Sequence, residues 1–118
     1  MTGIIVHKIV HLYFLIWPND EFGIFITNKT WKNYQSGYQS LPWIEASSKL
    51  SEEQIKFSFL ESWSLDIKDK FTQISFRHGI TKYKLMCNLI VPNPYQSLTL
   101  KKPVLESGLL KKALRLLK

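Results

Sequence analysis

Cysteine is almost absent, with Cys87 the only one in 118 residues. A single thiol can form neither an internal disulfide nor a cysteine-built zinc or iron–sulfur site within the chain. Cys87 lies in an apolar run, which fits a buried, inert thiol and a reducing compartment. We therefore expect a cytoplasmic protein. Glycine is also scarce, at five residues, and no glycine-rich phosphate loop or local serine or cysteine nucleophile signature occurs. The longest apolar stretch, Ile4 to Trp17, is broken by His7, Lys8 and His11 and stops at Pro18. A membrane-spanning helix needs roughly 20 apolar residues, and no small-residue cleavage site follows. The stretch reads as a buried strand in a protein with no membrane partner. Repeats, low-complexity segments and linkers are missing too, so residues 1–118 read as a single domain. That length can bury a core without staples.

Negative charge is scarce in one region only. Residues 1–76 carry seven Lys and eight Asp or Glu, a net −1. Residues 77–118 carry nine Lys or Arg against Glu106 alone, a net +8. Positive charge gathered in one part of a chain points to an anionic partner, most often nucleic acid.

Aromatic residues are plentiful at 14%. Ile4 to Ile16 is apolar at both alternating positions, as in a strand covered on both faces. Pro18 to Gly23 has turn composition, and Ile24 to Thr27 reads as a second strand, giving a hairpin. Lys29 to Ser40 has no period and reads as an ordered loop with aromatic anchors. Leu41 to Ala46 reads as a short strand. Ser51-Glu52-Glu53-Gln54 is a capping box and predicts a helix from about Ser51 to Trp63. Ile55, Phe59 and Leu60, with Leu50 or Trp63, form its apolar stripe. Glu52 and Glu53 suit the positive end of the helix dipole, which accounts for this carboxylate pair without chemistry. Phe71 to Phe76 and Ile80 to Val91 read as strands joined through Arg77-His78-Gly79. A final helix begins near Pro103, with Leu105, Leu109, Leu110, Ala113, Leu114 and Leu117 on its apolar face and Lys111, Lys112, Arg115 and Lys118 on the other. The order is β-β-β-α-β-β-α, an α+β domain. His7 and His11 share one strand face but lack further ligands, so they read as core residues. No metal site is expected.

Three stretches carry a family resemblance. Phe76-Arg77-His78-Gly79-Ile80-Thr81-Lys82-Tyr83-Lys84-Leu85 resembles the signature FRHTFSHFHL in the C-terminal domain of MutY-type adenine DNA glycosylases. Lys32 to Glu45 is similar to that family's KGLLAGLWEFPGVE, with Gly37, Pro42 and Glu45 in register. Pro103-Val104 and the leucines after them resemble its closing segment. The resemblance covers most of the chain. It implies a Nudix-like fold, a mixed sheet packed between helices. It also implies a binding role in DNA repair: helping a glycosylase recognise 8-oxoguanine opposite adenine in double-stranded DNA. The Nudix hydrolase box that should follow Glu45 is absent, so no catalytic residue is expected. The family's iron–sulfur cluster would belong to a separate glycosylase catalytic domain, a partner of this one, and no cofactor is expected here.

The resemblance assigns nucleic-acid binding to Arg77, His78, Thr81, Lys82 and Tyr83. Thr81 keeps the hydroxyl of the family's base-contacting serine. Lys82 replaces a histidine and supplies a phosphate contact. The expected form is a monomer. A second reading is a protein–protein interaction subunit of a larger basic assembly, anchored by exposed Trp31, Tyr34, Tyr38 and Trp43.

Overall fold

Strand β1, Lys8–Leu15, is the hub of the fold. In the computed structural model, which describes residues 8–31, 38–80, 83–92 and 108–117, β1 has a partner on each side. On one side it pairs antiparallel with β4 (Trp43–Ala46), and on the other it runs parallel to β6 (Tyr83–Pro92). Strand β5 (Phe71–Ile80) closes the sheet antiparallel to β6, giving the order β4-β1-β6-β5. The mixed sheet and two helices make an α+β domain, as the sequence suggests.

The sheet separates two apolar clusters. Val10, Leu12 and Phe14 of β1, with Leu85, Cys87 and Leu89 of β6, face helix α2 (Gly108–Leu116). That helix buries Leu109, Leu110 and Ala113 against them. Tyr13 and Leu15 of β1, Ile44 of β4 and Ile90 of β6 face helix α1 (Glu52–Trp63), which contributes Ile55 and Phe59. A strand apolar at both parities can only be satisfied between two such layers, and this is why β1 sits at the centre. The Tyr13 hydroxyl, taken into the core with its ring, accepts from the Leu50 backbone N–H at 2.8 Å.

Helix α1 starts where the capping box predicts. The Ser51 hydroxyl accepts from Gln54 N at 3.2 Å, and Ser51 N donates to Gln54 Oε1 at 2.8 Å. It ends at Ser64, whose N–H still reaches Leu60 O and whose left-handed backbone (φ 57°) turns the chain so that Leu65 N reaches Phe59 O at 3.3 Å. Truncating a buried aromatic such as Phe59 to Ala costs roughly 3–5 kcal/mol.

Three expectations are corrected. The strand after the Pro18–Gly23 turn does not form a hairpin with β1, because both edges of β1 are taken by β4 and β6. Instead Pro18–Asn19 (β2) pairs with Gly23–Ile24 (β3) in a two-stranded sheet. Asn19 Oδ1 accepts from the N–H groups of Glu21 and Phe22, and Gly23 takes a φ of 84°. Leu60 does not belong to the apolar stripe of α1 and is 47% exposed, since it stands one residue, about 100° of turn, beyond Phe59. Finally, β5 runs on through Ile80, so Arg77, His78 and Gly79 are strand residues and not a connection. Pro103, Leu105 and His7 lie outside the described residues. No helix among the described residues is long and apolar enough to cross a membrane.

Ser51→Ala should lower the unfolding free energy by about 1 kcal/mol. Chemical denaturation should register this as a lower midpoint at unchanged slope.

Candidate nucleic-acid interface

The β5–β6 ladder runs from Phe71↔Pro92 to Ile80↔Tyr83, so only Thr81 and Lys82 connect the strands. These two residues, both assigned to binding by the sequence, lie outside the described residues. The other three assigned residues are separated by strand alternation, which sends neighbouring side chains to opposite faces. Arg77 is on the α1 side of the sheet, with Ser75 and Gly79. His78 is on the α2 side, with Ile74 and Phe76.

His78 and Tyr83 are therefore part of the packing beneath α2. Tyr83 meets Trp31 edge-on, with ring centroids 5.1 Å apart. Lys112 of α2 crosses the sheet edge: its Nζ donates to the Arg77 carbonyl at 2.5 Å and lies 5.9 Å from the Phe76 ring centroid. His78 is half-buried, and its pKa is held below the ordinary 6.5, first by burial and then by the nearby Lys112 ammonium. The same surroundings push the Cys87 thiol up to about 12, because burial outweighs the opposing pull of Lys112. Cys87 is 1% exposed.

Arg77 has different company. Reading across the paired strands, one row is Ala46, His11, Met86 and Arg77, and the next is Ile9, Lys84 and Gly79. Helix α1 packs on Tyr13, Leu15, Ile44 and Ile90, at the other end of this face. Beyond Ala46, which packs against the α1 cluster, the two rows are left uncovered: Arg77, Lys84 and Gly79 are exposed, His11 and Met86 half-buried, and Ile9 is 53% exposed. The floor next to them is polar and fixed, since Asn88 Oδ1 accepts from Gln73 Nε2 and Ser75 Oγ at 2.9 Å each. None of β1, β5 or β6 contains an Asp or Glu, while Lys8, Arg77 and Lys84 lie on them.

Reading the sequence alone misses Lys84, His11 and Met86 as companions of Arg77. Ending the first strand at Phe76 hides the alternation that aligns them. The aromatic anchors of the interaction-subunit reading do not form an exposed patch. Trp31 is 2% exposed, and the Trp43 indole N–H donates to Lys29 O at 2.9 Å. Only Tyr38 is largely exposed, and Tyr34 lies outside the described residues.

A pocket of about 260 Å³ lies between β4 and α1, bounded by Lys29, Trp43, Glu45, Ser58, Ser62 and Trp63. The Lys29 ammonium lies 5.8 Å from the Trp43 ring and 5.9 Å from the Trp63 ring, so the chain's own cation faces the indoles. Glu45 is its one carboxylate, and Glu52 and Glu53 stand exposed in the first turn of α1. No group of three or more His, Cys, Asp or Glu placed to hold a metal occurs among the described residues. No family model matches the chain, and no curated protein matches it.

Two outcomes follow from these environments. Native Cys87 should resist a maleimide at neutral pH and react only in denaturant, read by mass spectrometry. The unfolded chain protonates His78 more readily than the native one, so its contribution to stability is complete above about pH 6.5 and lost as pH falls through the depressed native value. Lys112→Ala should move that native value upward in an NMR titration of His78.

Proposed function

We propose that this chain is a non-catalytic nucleic-acid recognition module with a Nudix-like fold, one that helps an adenine DNA glycosylase recognise 8-oxoguanine:adenine mispairs. The observation that carries the reading is the hairpin end of the sheet. It presents Arg77 and Lys84 on an open face, Lys8 on the opposite face at the same end, and no carboxylate on the three strands that build it. Helix layers on both faces of a mixed sheet support the Nudix-like fold. The connection between Ile80 and Tyr83 holds Thr81 and Lys82, the positions that resemble the family's lesion-reading loop. In this reading the Thr81 hydroxyl probes the base, Lys82 and Arg77 contact phosphates, and His78 and Tyr83 support the hairpin from beneath. The working partners are double-stranded DNA and a glycosylase catalytic domain.

Lysine–phosphate contacts release condensed counterions, so binding must weaken steeply with salt. Duplexes with and without an 8-oxoguanine:adenine pair, titrated at two salt concentrations, should separate the roles. Thr81→Ala should narrow the preference for the damaged duplex. Lys82→Ala should weaken both duplexes and flatten the salt dependence by about one unit of slope. Absence of duplex binding, or binding indifferent to both substitutions, overturns the reading.

A further inference from the structure

Helix α1 covers only half of its face of the sheet, and the uncovered half, whose Arg77 and Lys84 the lesion reading already draws on, has further properties. It is an unbroken stretch of sheet, two adjacent rows of a regular ladder. It is cationic, with Arg77 on β5 and Lys84 on β6. These two are diagonal neighbours across an antiparallel pair, roughly 7–8 Å apart at the backbone. It also contains a glycine where a strand normally carries a side chain. A Cβ built at Gly79 meets no atom within 4 Å, so no packing contact among the described residues requires a glycine there. Glycine inside a strand weakens it and often marks a close approach by a ligand or another backbone.

We propose that this half-face, Arg77, Gly79 and Lys84 with His11, Met86 and Ile9 beside them, is a seat for single-stranded nucleic acid. An extended polynucleotide strand lies over the Gly79 gap. Arg77 and Lys84 take its phosphates, and His11, Met86 and Ile9 meet sugars and bases. Charge selects the occupant: two exposed cations on strands free of Asp and Glu repel a basic partner and attract a polyanion. The apolar surface is too small for the buried centre of a protein interface, since only Ile9 is strongly exposed and Met86 half so. An open sheet platform suits a single strand, which can lay phosphates on Arg77 and Lys84 and a base face on His11 together. The imidazole of His11 can stack on any base, so the seat should be indifferent to sequence. The seat shares Arg77 and the open face with the reading above, extends them toward Gly79, His11 and Ile9, and does not depend on the residues between the strands.

Oligothymidylate, which cannot pair with itself, tests the seat by fluorescence anisotropy on the full chain at two salt concentrations, with Tm recorded for every variant. The wild type should bind, and more weakly at high salt. Gly79→Val should keep or raise Tm yet bind at least tenfold more weakly, because its branched side chain fills the gap. Lys84→Glu, at an exposed position, should weaken binding by a similar factor and so keeps the test decisive if Gly79→Val lowers Tm. Thr81→Ala should leave oligothymidylate affinity within twofold, which separates this seat from the lesion-reading connection. No binding by the wild type, or Gly79→Val and Lys84→Glu proteins that are folded and bind as the wild type does, overturns the proposal even where duplex recognition holds.

Discussion

The parallel pairing of β1 with β6 is the constraint on which the rest of the structure depends. It joins residues far apart in the chain, Lys8 to Tyr83 at one end and Leu15 to Ile90 at the other. Both strands are apolar at both parities over most of their length, so most of each face must be kept from water. A helix must cover each side, and the two helices come from opposite directions in sequence, α1 from the segment between β4 and β5 and α2 from beyond β6. Once β1 and β6 are central, β4 and β5 fall to the edges, which is where the more polar strands belong.

Coverage by α1 is incomplete, and that shortfall separates a structural half from an exposed one on the same face. Over Tyr13, Leu15, Ile44 and Ile90 the sheet is dry. Toward the β5–β6 connection it carries Arg77, Lys84 and Gly79 in the open. On the opposite face Lys112 bonds to the back of β5, and its charge weighs on His78 and Cys87. The basic end of the chain thus serves two purposes. One lysine of α2 secures the edge strand from behind, and the cations of the hairpin's front face remain available to an anionic ligand.

Much of this organisation is legible in the residues. Ser51 and Gln54 announce the start of α1 because a capping box is a local device, complete within four residues. Leu109, Leu110 and Ala113 announce the buried face of α2, and the apolar setting of Cys87 announces its inert thiol. The sheet order was not legible, since nothing local in Lys8–Leu15 says that its neighbours are β4 and β6 and not the segment after the turn. The candidate site was read one strand-length short. Ending β5 at Phe76 put Arg77 and His78 together in a connection, where the ladder instead sends Arg77 forward and His78 into the packing below α2. Gly79, which looked like a loop residue, suggested that ending. Its place in the ladder, with no described residue against it, is better explained by clearance above the sheet than by a turn.

The central claim is that the open half of the α1-side face, and not the basic helix α2, meets nucleic acid. Backbone NMR during titration with an oligonucleotide tests it directly, because each amide reports its own surroundings. The account predicts that shifts concentrate at Ile9, His11, Arg77, Gly79, Lys84 and Met86, with little change along α2. Shifts centred on Lys111 and Arg115 of α2, with β5 and β6 unmoved, would contradict it.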